Sequence, residues 1–158
     1  MSKIEKIIGL GRINAIFRAF EKGITSNSGL EDVVKKYEEN RLKAIERGNV
    51  SEENVINCLS DLPEVEKVRR MPQFSKPDRK QIDLKVLLGC GLEVNVQVKS
   101  SRKGIEKFRR QIAWFNLLDE NEIDEWLIEH RMIVLIGTEI KEEIIDSFRS
   151  QVVSILDY

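Results

Sequence analysis

The chain has 158 residues, 41% of them hydrophobic and 34% charged, with a formal net charge of -1. That length suits one compact domain with its own core and no metal or disulfide staple. No stretch approaches the ~18 consecutive apolar residues of a bilayer-spanning helix, which excludes a membrane-embedded protein.

Lys3, Glu5 and Lys6 interrupt the first isoleucines, unlike the apolar stretch of a secretory leader, so an intracellular, cytoplasmic setting is expected. Ile4, Ile7, Ile8, Ile13, Ile16, Phe17 and Phe20 recur at helical spacing and close on Gly23, predicting a first helix over residues 3–22. A charged helix is expected over 30–47, ending at Gly48 and Asn49. Ser51 then reads as the N-cap of a new helix whose face is Val55, Ile56, Leu59 and Leu62, ending near Pro63. Residues 1–50 are expected to be a helical extension that could supply a dimer contact, and 51–158 the core of one compact molecule.

Val65, Val68 and Met71 suggest a strand, and Ile82 to Leu88 a second. Gly89-Cys90-Gly91 reads as a hairpin turn, returning a third strand that sets Val94, Val96 and Val98 on one face and Glu93, Asn95, Gln97 and Lys99 on the other. A helix over 102–118 directs Ile105, Phe108, Ile112 and Phe115 inward. A short helix over 123–128, an apolar strand over 131–136 and a closing amphipathic helix over 141–156 complete the chain. The link between the third and last strands has the length of a parallel crossover. The fold class is therefore α/β, a mixed sheet with helices on both faces and extra N-terminal helices.

Cys58 and Cys90 have no Cys or His at metal-ligand spacing, and the one histidine, His130, reads as a strand-edge or surface residue. This argues against zinc, disulfides and a histidine-based nucleophilic mechanism. The near-zero net charge hides an uneven distribution: between Glu64 and Arg110 thirteen Lys and Arg stand against six Asp and Glu, so that stretch carries +7 and the remainder -8. A basic segment of this kind suits a polyanionic partner, or is a scatter of solvated bases.

A turn centred on Cys90 pairs residues whose numbers sum to 180, which sets Asp83 opposite Gln97, with Lys99 two residues on and on the same face. One carboxylate, an amide oxygen and a backbone carbonyl such as that of Val98 offer a hard divalent cation an all-oxygen site. Lys99 then stands where it can polarise the attacking water or hold a phosphate. The plain alternative is a polar strand face with an ordinary Asp83–Lys99 salt bridge.

The segments Pro77-Asp78-Arg79-Lys80-Gln81-Ile82-Asp83 and Gln97-Val98-Lys99-Ser100-Ser101, set between these elements, resemble the PD-(D/E)XK nuclease superfamily. The resemblance covers Ser51 to about Ile136. The Gln-Val-Lys form looks like that of Mrr-type restriction enzymes, and the following Ser-Ser-Arg-Lys is similar to archaeal Holliday junction resolvases. It implies a restriction endonuclease-like three-layer core and an endonuclease that hydrolyses DNA with Mg²⁺ or Mn²⁺, working as a homodimer or higher oligomer. It places Asp83, Gln97, Lys99, Glu52 and Gln111 at the site, with Asp83, Gln97, Glu52 and Val98 around the metal. Asp78 is the alternate if the register shifts. Glu52 lies on the inner face of its helix by phase, although an acid there also suits the helix dipole. Arg79, Lys80, Ser100, Ser101, Arg102, Lys103, Arg109 and Arg110 are placed along the nucleic acid. Trp114 and Trp126 are assigned to core or interface packing ahead of base stacking. Gln97, where the family carries an acid, leaves the site one negative charge short. That keeps two rivals in view: an inactive nucleic-acid-binding accessory module of the same fold, and an RNA-directed nuclease.

Overall fold

A computed structural model of the chain describes the backbone of residues 3–72 and 82–158, and side chains from residue 11 onward within those ranges. The chain divides into two compact units, Met1–Arg47 and Gly48–Tyr158. In the first, α1 (Lys3–Glu21) ends where Gly23 takes a positive φ of 84°, a conformation that costs glycine little. The helix α2 (Asn27–Ser60) follows. Gly11 lets Tyr37 lie against α1, since a Cβ there would overlap the phenol. Ile13, Phe17 and Phe20 of the apolar stripe are exposed.

The expected break at Gly48 and Asn49 does not occur. The helix α2 runs unbroken through both, and Ser51 is a buried interior residue of it, not an N-cap. A glycine inside a helix costs only about 1 kcal/mol relative to alanine. Strong helix formers on both sides outweigh that penalty, whereas a proline would have broken the ladder.

The second unit is built on a four-stranded sheet in the order β1-β2-β3-β4. Strands β1 (Val65–Arg70), β2 (Leu84–Leu88) and β3 (Glu93–Lys99) form an antiparallel meander, and β4 (Met132–Ile136) joins β3 in parallel. Gly91, with φ 89°, supplies the left-handed residue of the β2–β3 turn. The expected second strand began at Ile82, but pairing starts at Leu84. Between β3 and β4 come α3 (Arg102–Asn116), a 3₁₀ turn (Glu120–Glu122) and α4 (Ile123–Glu129); α5 (Lys141–Leu156) closes the chain.

Strand alternation sends side chains to opposite faces, and each face has its own core. Leu84, Val86, Val94, Val96, Val98, Ile133 and Leu135 pack with Val55 and Leu59 of α2 and Ile144 and Phe148 of α5. Met132 and Val134 pack with Phe108 and Ile112 of α3, flanked by Trp126 and Leu127 of α4. The chain is thus a mixed α/β fold with helices on both faces of a mixed sheet. Phe115, expected inward, is 69% exposed. The helix ends one residue later, and past Leu117, which is left-handed at φ 53°, Leu118 turns into the α3–α4 cluster.

Among the described residues no helix is long and apolar enough to cross a membrane.

Candidate active site on the α3 face of the sheet

Asp83 stands at the point where β2 meets its neighbours. Its carbonyl accepts from the Met71 amide at 2.8 Å, and its own amide donates to the Val96 carbonyl at 2.9 Å, so its backbone is fixed between β1 and β3. One residue on, Leu84 pairs with Val96 and Lys85 with Asn95. The same register extended back by one sets Asp83 across from Gln97. The carboxylate continues the ladder where the strand itself has stopped: Oδ2 accepts the Val98 amide at 2.8 Å. The Val96 carbonyl points toward β2, so the Val98 carbonyl, two residues along, projects toward the same side as Asp83.

Gln97 is only 5% exposed. Its Oε1 is the buried side-chain acceptor that has no hydrogen-bond partner among the described residues. An unsatisfied buried acceptor costs about 1–3 kcal/mol, and it is relieved by a donor or a cation. With the carboxylate of Asp83 and the Val98 carbonyl, this oxygen makes a donor set that suits a hard divalent ion. The set is poor in charge, and no cluster of three or more His, Cys, Asp or Glu capable of holding a metal occurs among the described residues.

Lys99 follows on the same face, its ammonium 5.3 Å from the centre of the Phe108 ring on α3. Gly104 of α3 lies close against the lysine stem, since a Cβ there would stand 3.3 Å from the Lys99 Cβ. Burial pushes the Lys99 pKa below its ordinary value; the Asp83 carboxylate works in the opposite direction, and Lys107 adds to the lowering.

Other sequence-selected residues are distributed more widely. Glu52 belongs to α2, which covers the opposite face of the sheet, and it pairs with the Arg70 Nε at 3.2 Å. It still lies at the same end of the sheet. Its neighbour Ser51 is against Gly137, whose amide donates to the Lys99 carbonyl at 2.8 Å, and Asn54 donates to the Gly137 carbonyl at 2.7 Å. Gln111 is half-buried on α3, about one turn beyond Phe108. Ser101 is the N-cap of α3, accepting from the Gly104 amide at 3.2 Å, and the Ser100 carbonyl accepts from Thr138. Arg109 is engaged by Asp124 at 2.7 Å, while Arg102, Lys103 and Arg110 are exposed. Asp78, Arg79 and Lys80 lie outside the described residues. Trp114, assigned to core or interface packing, is 76% exposed and takes no part in the core of this chain; Trp126 packs beneath α3 and stacks on the exposed His130 with ring centres 4.0 Å apart.

Arg70 and Phe108 shape the site without having been singled out for it. Phe108 was legible as a core residue, but its place beside Lys99 depends on how α3 crosses the sheet. Arg70 reaches the site end through a β1–β2 pairing that slips between Val65 and Lys67, an irregularity that no residue pattern announces.

Comparison of the chain with protein-family models, with curated proteins and with solved structures finds no match in any of the three.

Proposed function

We propose that the chain is a divalent-metal-dependent endonuclease acting on DNA, with a restriction endonuclease-like core. The observation that carries this reading is the Asp83 carboxylate accepting from the Val98 amide, between a buried and unsatisfied Gln97 oxygen and a half-buried Lys99. Asp83, Gln97 and the Val98 carbonyl would hold Mg²⁺ or Mn²⁺, which supplies Lewis-acid stabilisation of charge on the phosphate. Glu52, paired with Arg70, stands at the same end of the sheet.

Asp83 is fixed through its backbone and its carboxylate, so it binds without reorganising. Lys99, with its ammonium disfavoured by burial, gives up its proton more readily than a solvated lysine and can take one from the attacking water. Phe108 and α3 exclude bulk water from one side of that amine. The exposed Arg102, Lys103 and Arg110 are suited to backbone phosphates. Paired incision of both strands would favour two copies of the chain, a homodimer.

The test is incision of supercoiled plasmid with Mg²⁺ or Mn²⁺ by the native chain, Asp83→Ala and Lys99→Ala. Nicking should fall by at least about 100-fold in both variants, the scale of a lost general base. Equal background in all three proteins with DNA binding retained would replace this reading with a non-cutting accessory module. Cleavage confined to an RNA substrate would move the activity to RNA.

A further inference from the structure

The helix α3 carries five basic residues against one acidic. On an α-helix, steps of four, three and four residues return to nearly the same line. Lys103, Lys107, Arg110 and Trp114 follow those steps and form one stripe. Phe108 and Ile112, both buried, mark the opposite side of the helix, so the stripe faces away from the sheet. All four of its residues are exposed, and Leu117, 92% exposed, extends it. The Trp114 ring is supported edgewise by Phe115, with ring centres 5.2 Å apart at 78°. It borders a shallow depression formed with Arg110, Ala113, Leu117 and Leu118.

From Lys103 to Trp114 the stripe spans roughly 16 Å at the helical rise per residue. Its first end adjoins the candidate site, since only Ser100 and Ser101 separate the end of β3 at Lys99 from the start of α3. A row of cations ending in a large exposed aromatic surface complements a partner that is both anionic and flat. A second copy of this face fits poorly, because a two-fold contact would set like charges against one another. Duplex DNA meets the cations but keeps its base faces stacked inside. An unpaired strand offers phosphates and open base faces together.

We propose that the outer face of α3 is a track for an unpaired nucleic-acid strand, with Lys103, Lys107 and Arg110 on its phosphates and Trp114 stacked on a base. The substrate would then be a nucleic acid with a single-stranded tail, flap or gap leading from the cut position. That last step rests on the nuclease reading; strand binding itself does not.

The experiment uses the full chain in EDTA, where cutting is suppressed, with fluorescence titrations against dT and rU oligomers of about ten nucleotides and a blunt duplex. The dT oligomer should quench tryptophan emission. Trp114→Ala should abolish the quenching and weaken binding roughly 5- to 100-fold, the range for loss of one stacked base, while Trp114→Phe keeps most of the affinity. Lys103→Gln and Lys107→Gln should each lower the slope of log affinity on log salt by about 0.7. Tighter binding of rU than of dT assigns the strand to RNA, and the reverse to DNA. Undiminished binding by a folded Trp114→Ala, a blunt duplex bound more tightly than either single strand, or self-association that requires Trp114 would overturn the proposal. Strand binding without incision of either the plasmid or a duplex carrying a single-stranded tail, flap or gap removes the nuclease reading and leaves the track, whereas incision without strand binding removes the track alone.

Discussion

Among the described residues, Gln97 Oε1 is the buried side-chain polar atom that lacks a hydrogen-bond partner. A buried amide oxygen without a donor is a standing penalty, so Gln97→Met, which keeps the length and removes the polar atoms, should stabilise the metal-free protein by about 1–3 kcal/mol. Urea midpoints in EDTA measure this, and a destabilised variant would mean that the amide is better satisfied than its surroundings indicate. Lys99 makes a second residue-level case. Burial holds its pKa below 10.5, so the folded state binds the proton less tightly than the unfolded chain does. Below the lowered value both states are charged and the burial penalty is present in full. Above it the folded state releases its proton first, so stability rises with pH until the unfolded lysine also titrates near 10.5. Lys99→Met should therefore be more stable than the native chain at neutral pH, by a margin that narrows as pH approaches 10.5. A margin independent of pH would contradict the assigned cause.

At the scale of elements, the long helix α2 is the clearest departure from local reading. Gly48 is exposed, and a Cβ added there meets nothing within 4 Å. Gly48→Ala should accordingly stabilise the protein by about 0.5–1 kcal/mol through helix propensity and a less flexible unfolded chain. If the segment were the turn that its Gly-Asn pair suggests, the same substitution would destabilise it, and thermal melts distinguish the two. The hairpin shows the opposite situation. The Gly-Cys-Gly turn and the alternation of Val94, Val96 and Val98 define its register, and the observed pairing of Leu84 with Val96 follows that arithmetic. Local chemistry was sufficient there because turn and strand period point to the same pairing. It was insufficient at Phe115, where the helical period continues but the sheet beneath does not.

For the whole molecule, both apolar clusters draw their residues from Val55 to Ile155, within the second unit. A fragment beginning at Gly48 should therefore unfold in one cooperative transition and retain its sheet signal in circular dichroism. A non-cooperative fragment would show that the first 47 residues complete the core.

The sequence by itself determined the strand order in the chain, the α/β class and the register and faces of the hairpin, from Leu84 opposite Val96 onward. Each follows from short-range periodicity and turn chemistry, which act between residues that are near in the chain or joined by one tight turn. Only the tertiary structure decided that Gln97 Oε1 is buried without a partner, that Phe108 covers Lys99, that Arg70 holds Glu52 and that Trp114 faces outward. Those outcomes depend on how elements distant in sequence cross and where a helix runs off its sheet, and packing of that kind leaves no periodic trace in the chain.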